Sequence, residues 1–167
     1  MKKICFLLAA SIFFVSSLTA QKIIPLEYKG KKYEVLDMTS KGKITWGGNS
    51  EQIAANAAKS ESNGEANTAA IVAVIGKNTA FDGKPYAAKL CSEVNFSNKD
   101  DWYLPAKDEA DAIYGFKEKF NVEERGSIWT STEVNGTQAI TKYWYNGTFY
   151  NSMKVEQFQF VCIRKIE

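Results

Sequence analysis

Past residue 20, apolar and polar positions alternate and then shift to helical spacing. In "IIPLEYKGKKYEVLDM", residues 23–38, the alternation predicts two strands around a turn at Lys29–Lys31. "GKITWGG", residues 42–48, predicts a third short strand closed by glycines. "SEQIAANAAKSE", residues 50–61, has a helical look but is Ala-rich and weakly apolar. Asn67 is placed to cap a short helix over 68–75, although the β-branched residues there leave a strand open. "DGKP" reads as a turn, and "YAAKLCSEV", residues 86–94, sets Tyr86, Leu90 and Val94 at helical spacing with Cys91 beside them. "WYLPAKDEADAIYGFKEKF", residues 102–120, gives the clearest helix. Pro105 suits its first turn, and Ala106, Ala110, Ile113 and Phe120 form one stripe. Lys107, Asp108, Asp111 and Lys119 fall mostly outside that stripe. The remainder reads as the short strands "SIWTSTE", "QAITKYWY", "TFYNS" and "QFVCIRKI". Helices followed by an antiparallel meander make an α+β plan in one domain, residues 21–167.

One hairpin stands out. In "KYWYNGTFYN", residues 142–151, Asn146-Gly147 sits between alternating aromatics, the strongest short-range hairpin signal. A two-residue turn there sets Tyr145 opposite Thr148, Trp144 opposite Phe149 and Tyr143 opposite Tyr150. Alternation then puts Trp144 and Phe149 on the core face, and Tyr143, Tyr145 and Tyr150 on the other. The tyrosine face, with Asn146 at its turn, is the candidate recognition surface, because its hydroxyls tolerate water. Packing of those tyrosines under the loops of residues 47–66 is the competing reading. Trp102, Leu104, Trp129 and Trp144 are the expected core, with Phe149 beside them.

Composition narrows the chemistry. "MKK", an apolar run and "LTA" before Gln21 read as a secretory signal over residues 1–20, too short to favour a spanning helix. No later segment is long and apolar enough to span a membrane. Removing residues 1–20 takes two lysines from 21 basic residues, leaving 19 against 19 acidic. A neutral mature chain without a basic stripe argues against nucleic acid as a partner. The chain has no histidine, the commonest general base and metal ligand. Cys5 leaves with the signal, so Cys91 and Cys162 remain. An even pair in an exported domain suggests one disulfide, with two buried free thiols as the alternative; two thiols alone are half a zinc site. No metal and no cofactor are expected.

"ANTAAIVAVIG", "AAKLC", "DWYLPAKDEADAIY", "WTSTE", "AITKYWYNGTF" and "FVCIRK" follow in the order and spacing of a bacterial domain family. The chain resembles, over about residues 44–167, the domain at the C-terminus of a collagen-like adhesin. That resemblance implies a C-type-lectin-like fold, in the branch containing formylglycine-generating enzyme. Two main helices would pack on a small twisted antiparallel sheet with long loops. A disulfide would tie the first helix to the last strand, where Cys91 and Cys162 stand. Members of the family look like binding modules of adhesins, phage tails and exported proteins. The sequence departs from the family at Ile140 and Tyr103, and it lacks the calcium motifs Glu-Pro-Asn and Trp-Asn-Asp of sugar-binding C-type lectins.

The expected function is therefore an exported, non-catalytic module recognising glycan or a surface protein, in the periplasm, at the cell surface or outside the cell. A structural component of a surface assembly is the alternative, and an oxidase of the formylglycine-generating type a more distant one. Asp108, Glu109 and Asp111 lie within one turn but read as a solvated helix start. Ser131 has no histidine to activate it, and Glu133 reads as a loop-orienting residue.

Overall fold

The first hairpin forms where the alternation places it. In the computed structural model, which describes residues 21–48, 57–76 and 83–166, β1 (Ile23–Tyr28) and β2 (Lys31–Asp37) pair antiparallel from Ile23–Leu36 to Tyr28–Lys31. Lys29 and Gly30 both take positive φ, 51° and 71°, as a tight two-residue turn requires. The signal segment expected at residues 1–20 lies outside the described residues.

Among the described residues there are three helices and two three-stranded antiparallel sheets, not two helices on one sheet. The helices are α1 (Gly64–Ile75), α2 (Ala87–Glu93) and α3 (Lys107–Tyr114). β3 (Ser127–Glu133), β4 (Gln138–Tyr143) and β5 (Phe149–Met153) form the expected meander. β6 (Val161–Ile166) leaves it and pairs with β2, giving the order β1-β2-β6. Val161, Cys162 and Ile163 are all buried, so β6 needs cover on both faces and finds it beside β2. The strand expected over 42–48 reduces to one bridge, Ile44 to Phe158. The helix expected over 50–61 falls mostly on residues outside the described ones.

Two helix starts differ from expectation. α1 begins before Asn67, and its cap is Asn63, whose side chain accepts from Ala66 N–H at 3.1 Å. Asn67 is instead buried inside the helix; its amide donates to Ser60 O and Ser131 Oγ, and its oxygen accepts from Ser60 N–H. α3 begins two residues after Pro105 and ends at Gly115, followed by a single 3-10 turn at Lys117–Lys119. Its stripe of Ala110 and Ile113, with Ala106 and Phe120 flanking, is buried as expected.

The acidic helix start is not uniformly solvated. Glu109 is buried, and its carboxylate accepts from Ala106 N–H (2.8 Å), Gly64 N–H (3.2 Å) and Tyr103 OH (3.1 Å). One side chain thus closes the N-termini of both α3 and α1. Gly64 is required there: a Cβ would lie 2.5 Å from the Glu109 oxygen and 2.6 Å from Leu104 O. Burial pushes the Glu109 carboxyl above its ordinary range, with the three donors pulling the other way.

Two apolar clusters form the core. One gathers Leu36, Trp46, Ile71, Trp102, Leu104 and Trp129; the other gathers Leu26, Val35, Ile113, Ile128, Trp144 and Ile163. All four tryptophans are buried, including Trp46, which the expected core omitted. Cys91 and Cys162 lie at disulfide-bonding distance, 2.08 Å between sulfurs, joining α2 to β6.

Phe149 is a correction. It is half-buried and belongs to neither cluster. The expected register pairs it with Trp144, but β4 and β5 pair Lys142 with Phe149 and Thr141 with Tyr150. Tyr143 N–H donates to Thr148 O at 2.8 Å, so a four-residue connection, 144–147, replaces the two-residue turn. Only Gly147 takes positive φ there, 75°, whereas the tightest turn needs two such residues. Trp144 drops out of the ladder to sit edge-on between Tyr114 and Phe120, with ring centroids at 5.6 and 6.0 Å. Burying an indole outweighs completing the ladder by one more pair.

Candidate functional site

A shift of two residues preserves strand parity, so the tyrosines still share a face. Tyr143 and Tyr150 stand with ring centroids 5.7 Å apart, inclined at 69°. Tyr145, past the end of β4, lies 6.3 Å from Tyr143 at 47°. Tyr145 and Tyr150 are 54% and 49% exposed, and Tyr143 is half-buried between them. Asn146 is exposed, and its side-chain oxygen accepts from Thr148 N–H at 3.0 Å, so it shapes the loop. The expected alternative, tyrosines packed under loops, does not hold for Tyr145 and Tyr150.

The loop carrying Tyr145 is seated firmly. A Cβ at Gly147 would lie 2.6 Å from the Tyr114 ring, so only glycine lets the loop press onto α3. Lys142, 2% exposed, spans the same interface. Its ammonium donates to Asp111 at 2.5 Å and lies 4.0 and 4.8 Å from the Phe149 and Tyr114 ring centroids. A desolvated cation between two rings and a carboxylate ties β4, β5 and α3 together.

Beside Tyr145 opens a cleft of about 280 Å³, floored by Trp144, Phe120 and Val122 and rimmed by Lys117, Glu118 and Glu124. Arg125 stands 5.9 Å from the Tyr145 ring centroid. An apolar floor, two exposed rings and a rim of both charges suit a ligand with apolar faces and hydroxyl or amide groups at its edges. The residues of the rim follow α3 with no motif, so the sequence offered no signal for them.

A larger, polar cleft of about 440 Å³ is lined by Glu65, Asp101, Tyr103, Arg164 and Lys165. Its charges are already paired. Arg164 donates through Nε and Nη2 to Asp101 (2.5 and 2.8 Å) and through Nη1 to Glu34 (2.9 Å), and Lys99 also holds Glu34. The Arg164 hydrogen bond, opposed by burial, keeps the Asp101 carboxyl below its usual range. Burial opposes but does not cancel the hydrogen bonds from Lys99 and Arg164 that lower Glu34. These mutual bonds make the cleft a structural seam more than a receptor.

Three of the acidic and hydroxyl residues weighed above are buried in structural contacts. Ser131 is buried against Asn67, Glu109 caps two helices, and Glu133 is buried in an ion pair with Lys154 at 2.6 Å. Glu133 is therefore buried, and its partner Lys154 opens the turn that follows β5. Among the described residues no three His, Cys, Asp or Glu side chains gather where they could hold a metal ion. Among the same residues no helix is long and apolar enough to cross a membrane. No family model matches the chain, and no curated protein matches it.

Proposed function

We propose that the chain is an exported, non-catalytic binding module of the C-type-lectin-like kind its sequence resembles, recognising glycan or a related surface ligand. The observation that carries this reading is the tyrosine cluster: two half-exposed rings and a third between them, beside an apolar-floored cleft. Aromatic faces with hydroxyl rims stack on the apolar faces of sugar rings and bond their edges.

Glycan-array binding tests it. Tyr145→Ala and Tyr150→Ala should each weaken capture of the glycan that wild type binds, by about tenfold or more, with the melting temperature held within a few degrees. Loss of the fold in both, or unchanged capture in both, removes the site from this face. A second reading, a component of a surface assembly, is favoured by the uncharged strand β5, whose backbone groups at Phe149 and Asn151 bond nothing on the side away from β4 among the described residues, and specific self-association without ligand would favour it over the first.

A further inference from the structure

The chain contains three Asn-Gly pairs, at 63–64, 135–136 and 146–147. Such a pair can react with itself. The glycine backbone nitrogen attacks the asparagine side-chain carbonyl carbon, and the new C–N bond closes a succinimide ring. The side-chain nitrogen leaves as ammonia, carrying the proton that the glycine nitrogen gives up. Water then opens either carbonyl of the ring. The product is aspartate or isoaspartate, in which the main chain runs through the side-chain carbon. Glycine favours the attack because it has no Cβ and the widest backbone freedom. By local sequence the three pairs are equal; the fold makes them unequal.

Two of the three glycine nitrogens are held. Gly64 N–H donates to the buried Glu109 carboxylate at 3.2 Å, at the start of α1. Gly147 N–H donates to Tyr143 O at 2.9 Å, where the loop presses on the Tyr114 ring. Attack by either nitrogen must first break its bond and turn a closely packed glycine. The side-chain oxygens of Asn63 and Asn146 each accept from one backbone donor, Ala66 N–H and Thr148 N–H. The third pair lies in the loop 134–137, between β3 and β4. Among the described residues nothing bonds Gly136 N–H. Asn135 Oδ1 accepts from Thr137 N–H and Gln138 N–H, each at 2.9 Å, and from Thr137 Oγ at 3.1 Å. Its amide nitrogen donates to Gln138 Oε1 at 3.1 Å. The three donors sit on the atom where negative charge gathers as the nitrogen attacks, and they stabilise it as an oxyanion hole does. Asn135 is exposed, so water reaches the ring that forms.

We propose that Asn135 is a modification site, converting spontaneously through the succinimide to aspartate and isoaspartate, while the fold protects Asn63 and Asn146. A free neighbouring N–H and a donor-lined carbonyl oxygen occur together at this pair and at neither of the others. Water is the sole co-reactant. The loop lies at the end of β4 away from Tyr143 and Tyr145, so the change places a carboxylate on the molecule without touching the tyrosine face. This proposal stands whether or not that face binds glycan.

Peptide mapping of the aged protein tests it. Trypsin, cutting after Lys59, Lys77, Arg125, Lys142 and Lys154, puts the three pairs on three separate peptides. The folded protein is held at mildly alkaline pH and sampled over weeks, and fragment masses locate each event, which adds about one dalton. Asn135 should convert faster than Asn63 and Asn146 by about fivefold or more, since one neutral hydrogen bond is worth about that factor. The same chain, reduced and unfolded in guanidinium chloride, should convert at all three pairs at similar rates. A folded protein in which Asn135 is no faster than the other two overturns the proposal. So does a preference for Asn135 that persists unchanged in the unfolded chain, because the fold would then not be its cause.

Discussion

The two sheets are stabilised by different chemistry. In β1-β2-β6 the buried side chains are mainly apolar, among them Ile24, Leu26, Val35, Leu36, Val161 and Ile163, and a disulfide ties β6 to α2. In β3-β4-β5 the interior is largely polar. Every position of β3 is buried, Ser127, Thr130, Ser131, Thr132 and Glu133 included, and Thr141, Lys142 and Ser152 are buried across from it. Each of these groups must find a partner. Thr130 Oγ donates to Ile140 O at 2.8 Å, Thr141 Oγ and Ser152 Oγ share a bond at 2.9 Å, and Thr132 Oγ donates to Ser60 O at 3.0 Å. Apolar burial is non-directional and tolerates neighbouring registers; buried hydrogen bonds tolerate one. The sheet that carries the tyrosine face is the one whose geometry is specified bond by bond.

The largest effect should come from the buried ion pair under that sheet. Lys154→Ala is expected to cost about 3–5 kcal/mol by removing the ammonium that balances the buried Glu133 carboxylate, and Glu133→Leu with Lys154→Met should recover most of it. Urea denaturation of both would show whether the pair specifies more than it stabilises; a single variant as stable as wild type would contradict the burial of Lys154. In the other sheet, Cys91→Ala with Cys162→Ala should cost about 2–4 kcal/mol, read by the same titration, and intact mass should differ by two hydrogens with and without reductant.

A reciprocal swap sharpens the contrast. Thr141→Val leaves Ser152 Oγ without its partner, and Val35→Thr buries a hydroxyl among apolar neighbours. Each is expected to cost about 1–3 kcal/mol, for opposite reasons, and a stabilising Thr141→Val would show that the polar sheet does not need its bonds. The smallest change should be at Glu109, and it shows in pH. Its folded carboxyl titrates above its unfolded value, so the stability linked to its protonated form is complete below the unfolded value and is lost as pH rises through the folded one. Glu109→Gln can keep all three bonds, with its oxygen accepting from Ala106 and Gly64 and its amide facing Tyr103. Melting followed from acid to neutral pH should show that loss in wild type and not in the variant, with the two within about 1 kcal/mol at neutral pH.

Much of the fold was legible from alternation alone. The β1–β2 turn, α2 and the positions of all four late strands follow from period and turn residues. The tyrosine face survived an error in register because a two-residue slip keeps parity. The rest was hidden for physical reasons. Lys142 sits where an alternating strand exposes polar residues and Lys154 in the turn after β5, and nothing local shows that rings and carboxylates will enclose their ammonium groups. Asn67 has the chemistry of a cap but is used three residues inside its helix, because Asn63 reaches the first turn earlier. Glu109 looked solvated because its partners, Gly64 and Tyr103, come from other elements. Trp144 left the ladder for a slot between Tyr114 and Phe120, a tertiary gain that no dipeptide signals. The cleft beside Tyr145 joins residues from the 117–124 region to the hairpin loop and has no linear signature.

The bond between Cys91 and Cys162 also has a topological consequence. It spans 71 positions, and α3 and the whole β3-β4-β5 sheet lie between its ends. The tyrosine face is therefore part of a covalent macrocycle with two tails. A single backbone cut anywhere in that ring, the exposed loops at 135–137 and 145–148 included, opens the circle without releasing a fragment. A cut between residues 38 and 91 separates the β1–β2 hairpin from every covalent link to the ring. The half of the molecule that carries the tyrosine face would therefore survive a first nick in one piece.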